Sequence, residues 1–180
     1  MAKVLHRSAG IVLLLTIISI ILYNQTNQGL FMTLAITFGT TAYHFMMRLS
    51  VGWFFENTMH NHADYTRKWY QMRSWEPKFY AFCKVKKWKN KMPAYRPERF
   101  SPEQYTWEEI AQTMCQSELG HETIAVLSFL PIVSAKWFGA LPVFVITSIC
   151  AAIFDLLFVM MQRYNRERVV RMIRKKNTNK

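Results

Sequence analysis

Long apolar runs alternate with polar, basic segments along this chain. The apolar runs cover residues 9–23, 30–55 and 123–162. None of them carries a polar face at helical period, which disfavours amphipathic hairpins of a soluble protein. A bilayer core is crossed by about 20 helical residues, so the last run is long enough for two passes. Lys136 and Trp137 are typical of a membrane interface and mark the break between these two passes. The pattern predicts an all-α polytopic membrane protein with four transmembrane helices, at about residues 9–24, 29–55, 119–135 and 140–162.

The basic residues predict the orientation of this single membrane domain, residues 1–180. Nearly all of the 23 Lys and Arg residues lie before the first helix, in a central segment at 56–118 or in a basic tail at 163–180. Positive charge marks the cytoplasmic side, so the sequence predicts a multi-pass protein with both termini cytoplasmic. No cleavage pattern of small residues follows the first apolar run, which favours an uncleaved anchor over a signal peptide.

The central segment 56–118 mixes aromatic residues with Lys and Arg, which is typical of a surface at headgroup depth. We expect short helices over residues 63–71 and 77–90, and a further helix that begins near Ser101 and enters the third pass. The net charge is +12, but its clusters flank membrane helices. Anionic lipid or a phosphorylated cosubstrate is therefore expected as the partner, and nucleic acid is not.

Three titratable residues stand at the entrance to the third pass. Glu118, His121 and Glu122 have the spacing i, i+3 and i+4, which places them on one face of a helix. A His with a carboxylate one turn away is a minimal general base with an orienting group. The sequence therefore predicts a catalytic site at His121 with Glu118 or Glu122. The alternative is a helix start whose charged side chains reach back to water.

A second polar cluster is predicted inside the helices. Arg48 and Asp155 each lie about 10 Å below the cytoplasmic end of their helix. An unpaired charge at that depth is costly, so we expect Arg48 and Asp155 to pair, with His44 one turn from Arg48. The pair could serve the site or only hold the helices together.

The sequence gives little support to a metal or thiol site. His60 and His62 are the candidates for a metal site with Glu118 and His121, but the E-x-x-H element of di-iron bundles occurs only once here. We expect no metal, and a metal-dependent lipid-modifying enzyme stays an alternative. The cysteines show no disulfide or zinc spacing, and Cys115 is a minor candidate for an acyl-enzyme nucleophile.

Three stretches of the chain resemble one protein family. They are KVKKWKNKMP at 84–93, SELGHETIAVLSFLP at 117–131 and MQRYNRERV at 161–169. They resemble the small membrane acyltransferases typified by glycosyl-4,4'-diaponeurosporenoate acyltransferase. The resemblance implies transfer of a fatty acyl group from an acyl thioester to a hydroxyl of a lipid-linked sugar, in a glycosylated carotenoid or another glycolipid. It also implies a bacterial cell membrane.

Residues of the basic stretches are expected to bind the two substrates. Acyl-CoA or an acyl carrier protein is the expected donor, with no tightly bound cofactor, and the sequence leaves the acceptor and the oligomeric state open. The residues expected to bind donor or acceptor are Trp88, Lys89, Arg163, Tyr164, Asn165 and Arg166, with Lys84, Lys86 and Lys87 near them. The rival interpretation is a non-catalytic membrane adaptor that binds anionic lipid or a partner through the same basic surface.

Overall fold

The computed structural model describes residues 2–178, and every regular element in that part of the chain is helical. The α-helices are α1 (Ala2–Thr26), α2 (Gly29–Met59), α3 (Glu76–Phe82), α4 (Val85–Trp88), α5 (Trp107–Leu127), α6 (Ala135–Phe138) and α7 (Leu141–Thr178). Short 3₁₀ helices cover Lys68–Tyr70, Lys89–Lys91, Pro97–Phe100 and Leu130–Ser134. The predicted all-α class is confirmed for the described residues.

Within residues 2–178, three helices are long and apolar enough to cross a membrane, namely α1, α2 and α7. The first two contain the predicted passes at 9–24 and 29–55, and α7 contains all of the predicted pass at 140–162 except Ala140. The predicted pass at 119–135 is not one of the three, because α5 ends at Leu127 and a 3₁₀ helix follows. Pro131 lies in that 3₁₀ helix, and a proline has no N–H for a continuing α-helix. The count of four transmembrane helices is therefore not confirmed.

The chain forms two compact units. One consists of Met1–Val51 and Ile124–Ile153, and the other of Gly52–Thr123 and Phe154–Lys180. The prediction of a single domain over residues 1–180 stays a prediction. The same holds for the orientation of the termini relative to a membrane. Met1 and the last two residues of the predicted tail 163–180 lie outside the described residues.

In the first unit, α1 and α2 approach closely at a glycine. A Cβ atom added to Gly39 would lie 3.5 Å from the methyl carbon of Thr16, an ordinary van der Waals contact. The Tyr43 hydroxyl on α2 donates a hydrogen bond to the Leu127 carbonyl, at 2.8 Å. Leu127 is the last residue of α5, so this bond satisfies a carbonyl that has no partner within its own helix.

In the second unit, α5 packs against the C-terminal half of α7. The buried side chains of this core are Ile110, Ala111, Met114, Val169 and Ile173. Buried apolar side chains at this spacing fix the face that α5 turns toward α7. The remaining faces of the two helices carry the polar residues from which the candidate site is built.

A local capping box and a long-range hydrogen bond position α5 in this unit. The Thr106 hydroxyl and the Glu109 carboxylate form a capping box, in which Glu109 accepts the Thr106 N–H at 2.8 Å and Thr106 accepts the Glu109 N–H at 3.3 Å. The helix therefore begins at Trp107, later than the predicted start near Ser101. At its other contact, Gln116 accepts the N–H of Asn61 at 2.7 Å and so fixes the turn that follows α2.

Candidate functional site

His121 on α5 contacts a carboxylate of α7. Its Nδ1 atom lies 3.0 Å from Oδ1 of Asp155, and its ring stacks on Phe158 at 4.5 Å between centroids with an interplanar angle of 6°. The Asp155 carboxylate is 1% exposed, whereas the His121 side chain is 24% exposed. The phenyl ring holds the plane of the imidazole, and the Asp155 carboxylate is an acceptor suited to Nδ1–H, which would leave Nε2 for a reacting group.

The carboxylate beside His121 is not the one that helical spacing predicts. Glu118 and Glu122 were the expected orienting groups, and both have other partners. Glu118 pairs with the Arg166 guanidinium, and Glu122 accepts the Trp69 indole N–H at 3.1 Å. Arginine and indole donors from elsewhere in the fold hold these two carboxylates, and Asp155 lies against His121 in their place.

A buried ion network surrounds Glu118. The Arg166 guanidinium bonds both to Glu118 and to the carbonyl oxygen of Tyr70. Nε of Arg163 lies 3.2 Å from the other Glu118 oxygen, and the Arg163 guanidinium also pairs with Glu76 at 2.6 Å. Both arginines belong to the predicted substrate-binding stretch QRYNR. The structure places them in the interior, where they tie α7 to α5 and α3.

Burial controls the electrostatics of this network. It raises the pKa of Glu118 to about 7, against the opposing effect of the neighbouring Arg166 and Arg163. Burial also raises the pKa of the Cys115 thiol to about 12. A thiol with a raised pKa and no exposed surface has little thiolate to attack an acyl group. The site therefore favours His121 over Cys115 as the reactive group.

The predicted substrate-binding residues come together in part. Nζ of Lys89 donates to Oδ1 of Asn165 at 2.6 Å and lies 5.5 Å from the centroid of the Tyr164 ring. Burial lowers the pKa of Lys89, and the charge of Arg168 acts in the same direction. Trp88 has a local role, because its indole N–H donates to the Cys83 carbonyl at 2.9 Å. Lys84, Lys86 and Lys87 are exposed.

The other predicted clusters contribute less to the site. The Arg48 guanidinium donates to the carbonyl of the buried His44 in its own helix, at 3.1 Å. The pair of Arg48 with Asp155 stays a prediction. Among residues 2–178, no group of three or more His, Cys, Asp or Glu residues is placed to hold a metal ion. His60 is exposed, with a left-handed φ of 49° in the turn after α2, and His62 is exposed beside it.

A small cleft lies away from His121 in the same unit. It has a volume of about 190 Å³, and its wall includes Tyr65, Tyr70, Arg166 and Arg174. Its nearest α7 residue, Arg166, is eight residues beyond Phe158, or about 12 Å along the helix. Neither His121 nor Asp155 lines this cleft.

The pairing of the site residues has no signal in the sequence, and Glu76 was not predicted at all. Glu76 and Arg163 are 87 positions apart, and His121 and Asp155 are 34 positions apart. Neither pair has a helical or a strand spacing. The buried depth of Asp155 did indicate that it needs a partner, but it did not identify His121 as that partner.

Comparison with known proteins identifies one family. A family model described as glycosyl-4,4'-diaponeurosporenoate acyltransferase matches residues 66–175 of the chain. The matched segment contains both His121 and Asp155, as well as the network around Glu118. No curated protein and no solved structure gives a match.

Proposed function

The chain belongs to the glycosyl-4,4'-diaponeurosporenoate acyltransferase family, and on this premise we propose that it moves a fatty acyl group from an acyl thioester to a sugar hydroxyl of a membrane lipid. The acceptor is a glycosylated carotenoid or another glycolipid. The observation that carries the proposal is the pair of His121 and Asp155, a partly exposed imidazole held by a buried carboxylate within the matched segment.

The chemistry follows from the two nitrogens of His121. Asp155 accepts a hydrogen bond from Nδ1–H, which leaves Nε2 as the base. Nε2 takes the proton of the acceptor hydroxyl as its oxygen attacks the thioester carbonyl. The tetrahedral intermediate then collapses, the carbon–sulfur bond breaks, and the imidazolium returns the proton to the leaving thiolate. The products are an ester and a free thiol, and the imidazole is regenerated.

The basic surface near the matched stretches suits the donor. Acyl-CoA carries phosphates and an acyl carrier protein carries acidic side chains, and both are attracted by lysines. Lys84, Lys86 and Lys87 are exposed, and Lys89 lies beside Tyr164 with its pKa lowered by burial. We place the donor at this surface. In this proposal the reaction takes place at the cytoplasmic face of a bacterial cell membrane.

Purified protein tests the proposal directly. The full chain is reconstituted in phospholipid vesicles with a glycosylated carotenoid and a radiolabelled acyl-CoA, and labelled ester is counted. The expected result is ester formation by the wild type and a loss of about 10²- to 10⁴-fold for His121→Ala, the usual contribution of a general base. Ester formed by His121→Ala at the wild-type rate would contradict the role of His121.

Two matched variants separate orientation from structure. Asp155→Asn retains the size of the side chain but disturbs the tautomer of His121, so kcat should fall while helix content is unchanged. Glu122→Gln is the control, because Glu122 contacts the Trp69 indole and not His121. Equal losses for both variants would contradict the assignment of Asp155. A wild type that binds anionic vesicles but transfers no acyl group would support the adaptor instead.

A further inference from the structure

Helix α3 buries Glu76 and Tyr80, and it exposes an aromatic side that begins at Trp75, the residue directly before the helix. Glu76 is 1% exposed and Tyr80 is 4% exposed, whereas Trp75, Phe79 and Phe82 are 53%, 42% and 83% exposed. A surface helix in water has the opposite distribution. We call the three exposed side chains the aromatic face of α3.

Buried contacts fix this orientation. Glu76 pairs with Arg163 at 2.6 Å and also accepts the N–H of Arg73 at 2.9 Å. The Tyr80 ring lies against the Tyr164 ring, with centroids 6.4 Å apart. Rotation of α3 to hide its aromatic face would separate Glu76 from Arg163, and breaking a buried ion pair is strongly destabilising. The exposure of the aromatic face is therefore built into the fold.

The pairing with Arg163 also sets the level of α3 along α7. Asp155 is the one charged residue in the mostly apolar stretch 141–162 of α7, and Arg163 is the first basic residue of that helix. In a helix that crosses a membrane, such a change from apolar to basic marks the boundary between acyl chains and headgroups. Since Glu76 contacts Arg163, α3 lies at the level of that boundary.

Charge on the same segment matches an anionic surface. Lys78 lies on α3, and Lys84, Lys86 and Lys87 follow it directly; all four are exposed. Aromatic side chains combined with lysines are typical of elements that lie in the plane of a bilayer surface. Each such cation adds to the attraction toward an anionic leaflet.

We propose that the aromatic face of α3 inserts into the headgroup boundary of an anionic bilayer, with Lys78, Lys84, Lys86 and Lys87 bound to the lipid headgroups. The occupant of this surface is lipid, and the proposal does not depend on acyl transfer. The inserted helix holds α4 and Lys89 at the bilayer surface, where a membrane-bound acceptor is presented.

A fluorine probe on the full chain tests the insertion. Phe82 is replaced by 4-trifluoromethylphenylalanine, which retains the ring and requires no change to the cysteines. The protein is reconstituted in phosphatidylcholine vesicles, with and without phosphatidylglycerol. Relaxation of the ¹⁹F signal is measured with dissolved oxygen, which concentrates in the bilayer, and with an aqueous gadolinium chelate. The same probe at Tyr105 is the aqueous control, because this exposed residue directly precedes the first turns of α5, which pack against Val169 and Ile173, beyond Arg163 on α7.

The proposal predicts a several-fold higher ratio of oxygen to gadolinium effect at position 82 than at position 105. The ratio at position 82 should rise further with phosphatidylglycerol, and the variant K84Q/K86Q/K87Q should lose that rise. An equal ratio at the two positions would overturn the proposal. So would protection of position 82 from both reagents, which would indicate a protein partner on the aromatic face. Ester formation plays no part in this measurement, so failure of the two proposals can be told apart.

Discussion

Removal of Arg166 is the most informative perturbation of the buried network. Arg166 is 2% exposed and Glu118 is not exposed at all, and Arg166 bonds to both Glu118 and the Tyr70 carbonyl. Removing one partner of a buried ion pair costs about 3–5 kcal/mol, because the other charge stays buried. Arg163 remains near Glu118, so we expect Arg166→Met to lose about 3 kcal/mol of unfolding free energy at pH 8.

The pH dependence separates lost charge pairing from lost packing. The pKa of Glu118 is raised to about 7, so at pH 5.5 the carboxyl is mostly protonated and needs no counter-charge. At pH 5.5 the unfolding free energy lost by Arg166→Met should therefore be only about 1–2 kcal/mol, the contribution of the hydrogen bonds alone.

Unfolding by sodium dodecyl sulfate in mixed micelles, followed by circular dichroism, measures both values. Arg171→Met is the control, because Arg171 makes an exposed pair with Glu167 worth less than about 0.5 kcal/mol. The account of the network is refuted if Arg166→Met costs no more than this control at pH 8. Equal losses for Arg166→Met at both pH values would also refute it.

Three further predictions follow from single contacts. Burial raises the pKa of Glu118 above its value in the unfolded chain, so its bound proton stabilises the fold fully below about pH 4.5, and this contribution is lost as pH rises through about 7. In a pH series of unfolding curves, Glu118→Gln should therefore flatten the fall of the unfolding free energy with pH. Thr106→Ala should cost about 1 kcal/mol in thermal unfolding, because the capping box with Glu109 is lost; no change in melting temperature would contradict the cap. Cys115 should resist alkylation by N-ethylmaleimide in the native protein at pH 7, as read by mass spectrometry of its peptide, and Cys115→Ala should retain acyl transfer; rapid labelling would contradict its burial.

The apolar runs predicted most of the helices because their length and composition allow little else. The runs at 9–23 and 30–55 appear as α1 and α2. The second half of the last apolar run forms the start of α7 as expected, but the helix continues beyond that run to Thr178. Residues 163–178 contain neither Pro nor Gly, and Arg and Lys favour a helix. The change from apolar to basic residues at Arg163 therefore did not end α7. The expected pass at 119–135 is not among the three long apolar helices, because α5 has a polar start and ends before Pro131.

The sequence indicated which residues belong to the candidate site better than it indicated which of them contact one another. Local spacing indicated His121 as a base and selected Glu118 and Glu122 as its neighbours. The carboxylate that contacts His121 comes from α7 instead, because packing of α5 on α7 brings Asp155 beside it and gives Glu118 to Arg166. Such pairing depends on how two helices pack, which a spacing rule within one helix cannot include.

Comparative lipid mass spectrometry tests the central claim most directly. Bacterial cells that make a glycosylated carotenoid are given either the wild-type chain or His121→Ala, with membrane insertion of both proteins confirmed. The account predicts a glycolipid heavier by one fatty acyl group with the wild type and its loss with His121→Ala. Identical lipid profiles from the two strains would contradict acyl transfer at His121.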